Sequence, residues 1–311
     1  MAMASADLPA RAAQVARRGF SKGTEQSHIG NILFVLPFVL VYTGLLVYPL
    51  IKGMVMSFQD FDMLVGEGFF IGWENYTRLF TDDIFLGAVR NTLVFVLLTM
   101  PAFVVIGLLL ALALNNSYRR STVFRALFFG SSVLSVTIVT LVWRMVFAPN
   151  NGLLNNIIGV FGIAPVSFLN NETMALPAIA IATVWWGIGL PMMLFLAALQ
   201  QIPRDLYEAA ALDNASRMRT LWSITLPSIR RTIVLVAVIE VILQFQLFGQ
   251  AVLMTQGGPG NASRPIVQFI YEAGFRDWML GYAAAASQIL FVLMLAAAAV
   301  QLWLGRNRGQ S

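Results

Sequence analysis

The sequence is organised around a charged stretch, QQIPRDLYEAAALDNASRMRTLWSITLPSIRR, which spans residues 200–231 between two long apolar segments. Pro203 stands where a helix can begin, because a proline at a helix start removes no helical hydrogen bond. Asn214 stands where the chain can bend, because asparagine tolerates the left-handed backbone conformation better than most residues. Leu226 and Pro227 close the stretch before the next apolar run. The pattern therefore predicts two short helices joined by a bend.

The composition around this stretch is that of an integral membrane protein. Of the 311 residues, 58% are hydrophobic and 11% are charged, whereas about 25% are charged in ordinary soluble domains. The net charge of +5 is distributed over short loops between apolar runs, not beside aromatic groups on a soluble face. We therefore expect membrane lipid to surround the protein, and we expect no nucleic acid partner.

Two residue counts narrow the chemistry that the chain can carry. It has no cysteine, which excludes disulfide frameworks, thiolate nucleophiles and cysteine-ligated metals. Its single histidine, His28, lies in a polar segment before the first apolar run, so neither an HExxH metal site nor a histidine-based triad can form within the chain. We therefore expect no catalytic residue, no metal site and no cofactor bound by this chain.

Six stretches reach the length of about 20 apolar residues that a transmembrane helix needs. They lie near residues 31–56, 89–114, 126–148, 174–199, 232–254 and 279–304. Helix-breaking residues interrupt the first, second and fourth of them, among them Pro37, Pro101, Gly187, Gly189 and Pro191. Such kinks are tolerated where a neighbouring helix or a water-filled cavity satisfies the backbone. The predicted fold is an all-α membrane protein with six kinked transmembrane helices in one domain over residues 31–304.

The basic residues divide unevenly between the two sides of these spans. Fourteen of the 20 lysines and arginines fall in segments 1–30, 115–125, 200–231 and 305–311. Cytoplasmic loops carry an excess of Lys and Arg, so both termini are predicted to be cytoplasmic, with a basic leader at 1–30 and a tail at 305–311. The first apolar run is longer than a signal-peptide core, and we expect it to remain as a span. The outer loops either dock a partner or cap the bundle.

Glu240 lies about nine residues into the fifth predicted span, where an ionisable side chain marks a functional candidate. Gln244 follows one helical turn later, and Phe248 is predicted to continue the row. A carboxylate, an amide and an aromatic ring in one row can hydrogen-bond to and stack on a polyhydroxylated ligand. The alternative is that Glu240 is paired inside the bundle and only stabilises it.

Trp185 and Trp186 lie near the middle of the fourth predicted span. Tryptophans that anchor a helix at the membrane interface lie at its ends instead. Both residues are therefore candidates for a wall that stacks against a solute. The alternative is packing against neighbouring helices.

The stretch 200–231 contains EAAALDNAS in its first predicted helix and LWSITLP in its second. Together they resemble the EAA signature of the permeases of binding-protein-dependent ABC importers. The matching positions are Glu208, Ala209, Ala210, Asp213, Ala215, Leu221, Ile224 and Pro227. Asn214 stands where the signature has glycine, Leu221 where it has phenylalanine, and Arg231 where a second proline is common.

The resemblance extends from about residue 30 to residue 304. The segments GWENYTRLF (72–80), MTQGGPGNAS (254–263) and GYAAAAS (281–287) are similar to segments of carbohydrate-uptake permeases of the maltose and glycerol-3-phosphate transporter type. The chain is most similar to the first permease of such pairs. The resemblance implies a type I ABC importer permease fold in the bacterial inner membrane and import of a carbohydrate or a derivative by alternating access.

The resemblance also implies the partners of the chain. These are a second, non-identical permease, two cytoplasmic ATPase subunits, and a periplasmic or lipid-anchored solute-binding protein. It assigns coupling to the ATPase to Glu208, Ala209, Ala210, Asp213, Asn214 and Ala215. ATP and magnesium would be bound by the ATPase, because this sequence has no GxxxxGK[ST] phosphate loop.

Two other classes of protein remain as alternatives at this point. An ion-coupled secondary transporter of a polar solute usually has paired repeats and several intramembrane carboxylates. A membrane-embedded lipid-modifying enzyme usually has His, Asp or Glu clustered at one membrane face. Asp205, Glu208 and Asp213 are close enough in sequence to raise the second alternative.

Overall fold

The computed structural model describes residues 28–62, 66–116 and 118–307, so most of the predicted leader and the end of the predicted tail lie outside the described residues. The chain forms two compact units, Met1–Gly53 and Met54–Ser311. The first contains α1 (His28–Tyr42), a π-helical turn (Thr43–Val47) and most of α2 (Tyr48–Met56). Pro37 lies inside α1, and Val35–Met56 is long and apolar enough to cross a membrane.

The second unit begins with a hairpin that the all-α prediction did not include. Strands β1 (Gln59–Asp62) and β2 (Glu67–Phe70) pair antiparallel and are followed by α3 (Glu74–Leu79). The buried amide of Asn75 donates hydrogen bonds of 3.0 Å to the carbonyls of Ser57 and Gln59. These contacts fix the entry to the hairpin, because they satisfy two carbonyls that no helix would satisfy.

The long helix α4 (Asp83–Leu114) begins six residues before the predicted second span. Asp82 accepts hydrogen bonds from the amides of Ile84 (2.8 Å) and Phe85 (3.2 Å), which makes it the N-cap. Its other carboxylate oxygen accepts a hydrogen bond of 2.8 Å from the hydroxyl of Tyr282. Helix α4 then contacts five later helices and forms the centre of the unit.

The third predicted span contains a sharp break that the sequence did not predict. Helices α5 (Arg119–Ser131) and α6 (Val136–Val146) meet at an angle of 100°. Ser135 caps α6, and the carbonyl of Leu134, which lies in the break, accepts a hydrogen bond of 3.0 Å from Nε1 of Trp186. Groups freed by the break are therefore satisfied by side chains, as buried backbone requires. Helix α7 (Leu153–Val160) follows.

The fourth predicted span contains the expected kink. Helices α8 (Ala175–Gly187) and α9 (Gly189–Gln200) meet at 47° around Ile188. A Cβ atom on Gly189 would lie 2.6 Å from the carbonyl oxygen of Phe128, so the small residue allows α9 to approach α5.

The fifth predicted span, 232–254, is also interrupted. Helix α13 (Arg230–Phe245) ends 16 residues after its start, and α14 (Gly249–Met254) follows a short break. The stretch before it contains α10 (Arg204–Leu212), α11 (Arg217–Thr220), a π-helical turn (Leu221–Thr225) and α12 (Leu226–Ser228). After it come α15 (Ile266–Tyr271), a third π-helical turn (Glu272–Arg276) and α16 (Leu280–Asn307).

Three described helical segments are individually long and apolar enough to cross a membrane. Two bent pairs of helices, α5 with α6 and α8 with α9, are long and apolar enough when each pair is taken as one span. The three are Val35–Met56, Asp83–Leu114 and Leu280–Trp303. Large apolar side chains fill the space between α4 and its neighbours, among them Phe95, Phe103, Met192 and Phe195, each exposed by 1% or less. Many others face outward, as expected of a surface in contact with lipid.

Candidate functional site

The bend predicted at Asn214 is present, and its hydrogen bonds define it. Asn214 has φ +50°, and its amide donates to the carbonyl of Ala211 at 3.1 Å. The amide of Ala215 donates to the carbonyl of Ala210 at 2.9 Å. These two bonds form a Schellman motif, in which a left-handed residue just after a helix satisfies its last carbonyls. Glycine usually occupies this position, and Asn214 adopts the same left-handed backbone conformation.

A second helix starts immediately after this motif. The hydroxyl of Ser216 accepts a hydrogen bond of 3.3 Å from the amide of Arg219, which makes Ser216 the N-cap of α11. The hydroxyls of Tyr207 and Thr225 lie 3.2 Å apart and share a hydrogen bond, which joins α10 to the turn that follows α11. The short helices α10 and α11 are thus held together by a hydrogen bond, and we call the segment that contains them the 200–231 loop.

The coupling candidates of this loop divide by exposure. Glu208, Ala209, Asp213 and Asn214 are exposed, whereas Ala215 is half-buried. Ala210 is buried at 7% exposure and faces the rest of the protein. The small, exposed face is therefore narrower than the sequence pattern suggested, because one of its alanines packs inward.

The loop is also tied to the last helix of the chain. Arg230 donates from Nη2 to the carbonyl of Gly305 at 2.9 Å. Arg231, where the signature often has a second proline, is exposed in the first turn of α13. The chain turns two residues before Arg231, at Ile229, whose φ and ψ are −96° and 8°. An arginine is therefore accommodated without a proline.

Of the pathway candidates, Glu240 and Gln244 form the predicted pair. Both are buried, with 3% and 7% exposure, and Nε2 of Gln244 donates to Oε2 of Glu240 at 3.0 Å. Their helix, α13, packs against α4, α9 and α16. A carboxylate and an amide thus lie together inside the helix bundle, one turn apart.

Phe248 does not continue this row, which corrects the prediction. Helix α13 ends at Phe245, and Phe248 has φ −147° and ψ −68°, outside the helical region. Its ring instead lies 5.3 Å from the ring of Tyr271. This aromatic contact holds the break between α13 and α14 against α15.

Trp185 and Trp186 point to different surroundings. Trp185 is 44% exposed, lines an apolar cavity of about 510 Å³, and packs edge-on against Trp143 at 5.8 Å. Trp186 is half-buried, and its Nε1 donates to the carbonyl of Leu134 at 3.0 Å. Successive residues of a helix are about 100° apart, so one face cannot present both rings.

The structure does not bring all pathway candidates together. The residues that line the cavity at Trp185 do not include Glu240, Gln244 or Phe248. The lining is almost wholly apolar, with side chains such as Leu98 and Val184. The buried polar pair and the exposed indole ring are two separate features of this conformation.

One segment between α14 and α15 is fixed against α4 by residues that the sequence analysis did not single out. Nδ2 of Asn91 donates to the carbonyls of Asn261 (2.8 Å) and Arg264 (3.1 Å). Oγ1 of Thr92 accepts from the amide of Ile266 at 2.9 Å. Residues 261–266 are therefore held against α4 at Asn91 and Thr92, eight and nine residues after the start of the helix.

Among the described residues, no group of three or more His, Asp or Glu side chains is placed to hold a metal ion. Asp205, Glu208 and Asp213 are all exposed on α10 or at its end. Exposed acids separated along one helix do not form the pocket that an enzyme active site requires. These three acids therefore lie on the surface of the loop.

Comparison with known proteins agrees with this geometry. Residues 68–309 match the family described as the binding-protein-dependent transport system inner membrane component. The probable ABC transporter permease protein YurN of Bacillus subtilis is 30% identical over 281 residues, which cover 89% of this chain and 96% of YurN. The arabinooligosaccharides transport system permease protein AraP of the same organism is 32% identical, and the match covers 89% of each chain.

A solved structure matches over a similar extent. It is a chain of a bacterial ABC transporter involved in the import of the acidic polysaccharide alginate, with a TM-score of 0.79 and 25% identity. The match covers 90% of this chain and 95% of that chain. The type I importer permease fold is thereby shown for a largely helical chain that carries an EAA-type loop. The protein belongs to the family of inner membrane permease components of binding-protein-dependent transport systems.

Proposed function

We propose that this permease imports a carbohydrate or a carbohydrate derivative, and that the 200–231 loop receives the driving motion from a cytoplasmic ATPase. The observation that carries the proposal is the loop itself. A Schellman motif at Asn214 and the contact between Tyr207 and Thr225 make it a stiff element with Glu208 and Asp213 exposed. A stiff helix pair can transmit a displacement that a flexible loop would absorb.

The substrate class is supported by the relatives. AraP is named for arabinooligosaccharides, and MsmF of Streptococcus mutans, 32% identical over 260 residues, is named as a multiple sugar-binding transport system permease. A related solved structure holds an alginate transporter in complex with a pentasaccharide-bound periplasmic protein. The proposed partners are a second, non-identical permease, two ATPase subunits that bind ATP and magnesium, and a periplasmic or lipid-anchored binding protein.

Reconstitution in proteoliposomes tests this function directly. We expect uptake of an oligosaccharide only when the permease pair, the ATPase, the binding protein and ATP are all present. Omission of any one component provides the control. Uptake driven by an ion gradient without ATP would assign the chain to secondary transport, and turnover of a lipid by the purified chain alone would assign it to an enzyme.

We also propose six spans with both termini in the cytoplasm. Arg125 and Arg204 line one cavity, and Arg230 donates to the carbonyl of Gly305. These contacts bring three of the four basic segments to one end of the second unit, and basic segments favour the cytoplasmic side. The fifth span would consist of α13 and α14 with the break at Phe248 between them.

Labelling of single cysteines checks this topology, because the natural sequence has none. Ser223 and Asn170 are exposed, on the 200–231 loop and on the connection between α7 and α8. In intact cells, a membrane-impermeant maleimide is expected to label Asn170→Cys and to leave Ser223→Cys unlabelled until the membrane is permeabilised. The opposite pattern contradicts the proposed orientation.

Glu240 and Gln244 are proposed as polar residues of the pathway, with Trp185, Trp186 and Phe248 as aromatic candidates. Glu240→Gln keeps the size of the side chain and can keep the hydrogen bond to Gln244. Glu240→Leu removes the carboxylate and with it that hydrogen bond. If the carboxylate contacts the solute, both variants are expected to lower uptake by about tenfold, the cost of one charge-assisted hydrogen bond. Normal uptake by Glu240→Gln, with loss only in Glu240→Leu, would assign the pair to packing.

A further inference from the structure

A polar cavity of about 590 Å³ lies beside the base of the 200–231 loop. It is enclosed by the corner between α4 and α5 and by the corner between α9 and α10. Its volume falls within the range of about 300–1,000 Å³ typical of small-molecule sites. The lining residues are Asn115, Asn116, Arg125, Leu199, Gln200, Ile202, Arg204 and Tyr207. Six of these eight side chains are polar, and none is acidic.

The two arginines of the cavity, Arg125 and Arg204, have N–H donors without a partner among the described residues. Nε and Nη2 of Arg125 donate to the carbonyl of Leu114, and Nη2 also donates to that of Asn116 at 2.7 Å. In the described part of the chain, its Nη1 has no hydrogen-bond partner. Arg204 is exposed, and within the same residues it makes neither a hydrogen bond nor an ion pair. Two arginines therefore line the cavity with N–H donors that have no acceptor among the described residues.

The surroundings add positive charge and amide donors. Arg119 and Arg120 are exposed in the first turn of α5, and the sequence has no Asp or Glu from residue 84 to residue 171. Among the described residues, the side chains of Asn115 and Gln200 also lack hydrogen-bond partners. The nearest acids along α10, Asp205 and Glu208, are not part of the lining. A cavity with this composition attracts anions.

From this cavity we infer a binding site for a phosphate group, held by Arg204 and Nη1 of Arg125 and flanked by the amides of Asn115 and Gln200. The planar guanidinium fork matches the oxygens of a phosphate, which it binds bidentately. The cavity lies where the apolar helices α4 and α9 end, at Leu114 and Gln200. A phosphate there can come from an anionic lipid headgroup or from solution, and both present the same chemistry.

Full-length protein in lipid nanodiscs distinguishes these two sources. In the first arm, nanodiscs of phosphatidylcholine are compared with nanodiscs that also contain phosphatidylglycerol. In the second arm, inorganic phosphate is titrated into phosphatidylcholine nanodiscs at constant ionic strength. The apparent melting temperature is measured in both. A rise with phosphatidylglycerol alone identifies a headgroup site, and a saturable rise with phosphate identifies a site for free phosphate. No rise in either arm overturns the inference.

Two variants and one control make the assignment specific. Arg204→Gln removes one charge, and Gln200→Glu places a carboxylate in the cavity at nearly unchanged volume. Each is expected to weaken the response by about tenfold in ligand concentration, the effect of one charge-assisted hydrogen bond. The control Arg217→Gln removes an exposed arginine of the same loop that does not line the cavity. Equal responses in all three variants would show general charge attraction and overturn the site.

Neither experiment measures transport, so the inference does not depend on the solute that the permease imports. A folded variant is recognised by its melting transition in phosphatidylcholine without added phosphate. If Arg204→Gln fails to fold, Gln200→Glu still tests the site, because the residue it changes has no partner within the described residues.

Discussion

Replacing Glu208 with lysine is expected to abolish ATP-driven uptake while the permease remains folded in the membrane. Glu208 is exposed on α10, so a lysine there meets no steric obstacle within the chain. On the proposed function, this helix docks on the ATPase, and reversal of a charge in a docking interface costs several kcal/mol through like-charge contact. Uptake should therefore fall by at least about tenfold, with ATP hydrolysis no longer stimulated by the binding protein.

The measurement compares uptake and ATP hydrolysis in the same proteoliposomes. Asp213→Lys, at the end of the same helix, should behave like Glu208→Lys. Ser223→Lys is the control, because Ser223 is exposed in the same loop but lies outside the signature positions. Coupled uptake that survives in both Glu208→Lys and Asp213→Lys would refute the docking role. Equal losses in all three variants would indicate a general effect of added positive charge.

Replacing Gly281 with alanine is expected to cause the largest loss of stability. A Cβ atom at this position would lie 2.0 Å from the carbonyl oxygen of Gln59 and 3.1 Å from that of Met56. Backbone atoms cannot rotate away as a flexible side chain can, so α16 or the hairpin must shift. Overpacking of this kind costs about 3 kcal/mol, which corresponds to a fall of about 6–12 °C in melting temperature for a unit of this size.

The same carbonyl of Gln59 is also bound by the buried amide of Asn75, so a shift would disturb that hydrogen bond as well. Gly87→Ala is a matched control. A Cβ atom on Gly87 would meet nothing within 4 Å, and alanine favours the helical interior by about 1 kcal/mol over glycine. An apparent melting temperature for Gly281→Ala equal to that of the unchanged protein would contradict the close approach of α16 and β1.

Much of the 200–231 loop follows from local chemistry. Pro203 precedes α10 directly, Asn214 adopts the left-handed conformation, and Ser216 caps the next helix. Each of these depends on a few neighbouring residues, which is why the pattern predicts them. The inward position of Ala210 is different, because it depends on which side of α10 packs against the protein.

Among the pathway candidates, too, some features follow from local sequence and others depend on distant contacts. The Glu240–Gln244 contact follows from helical spacing, since residues four apart lie on one face. Phe248 lies beyond the end of that helix and contacts Tyr271, 23 residues along the chain. The end of the helix cannot be predicted from residues 232–254 alone, because the contact that stabilises the break comes from Tyr271.

Hydrophobicity, helix breaking and tolerance of the left-handed conformation are properties of individual residues, so the class of this protein, its apolar segments and the EAA-type loop with its bend at Asn214 can be predicted from the sequence. The 100° turn between α5 and α6 and the β-hairpin cannot be predicted in this way. Hydroxyls of Ser131 and Ser132 reach carbonyls of α8, and the amide of Asn75 reaches those of Ser57 and Gln59. These bonds join residues 16 to 55 positions apart, so they exist only once the chain has folded.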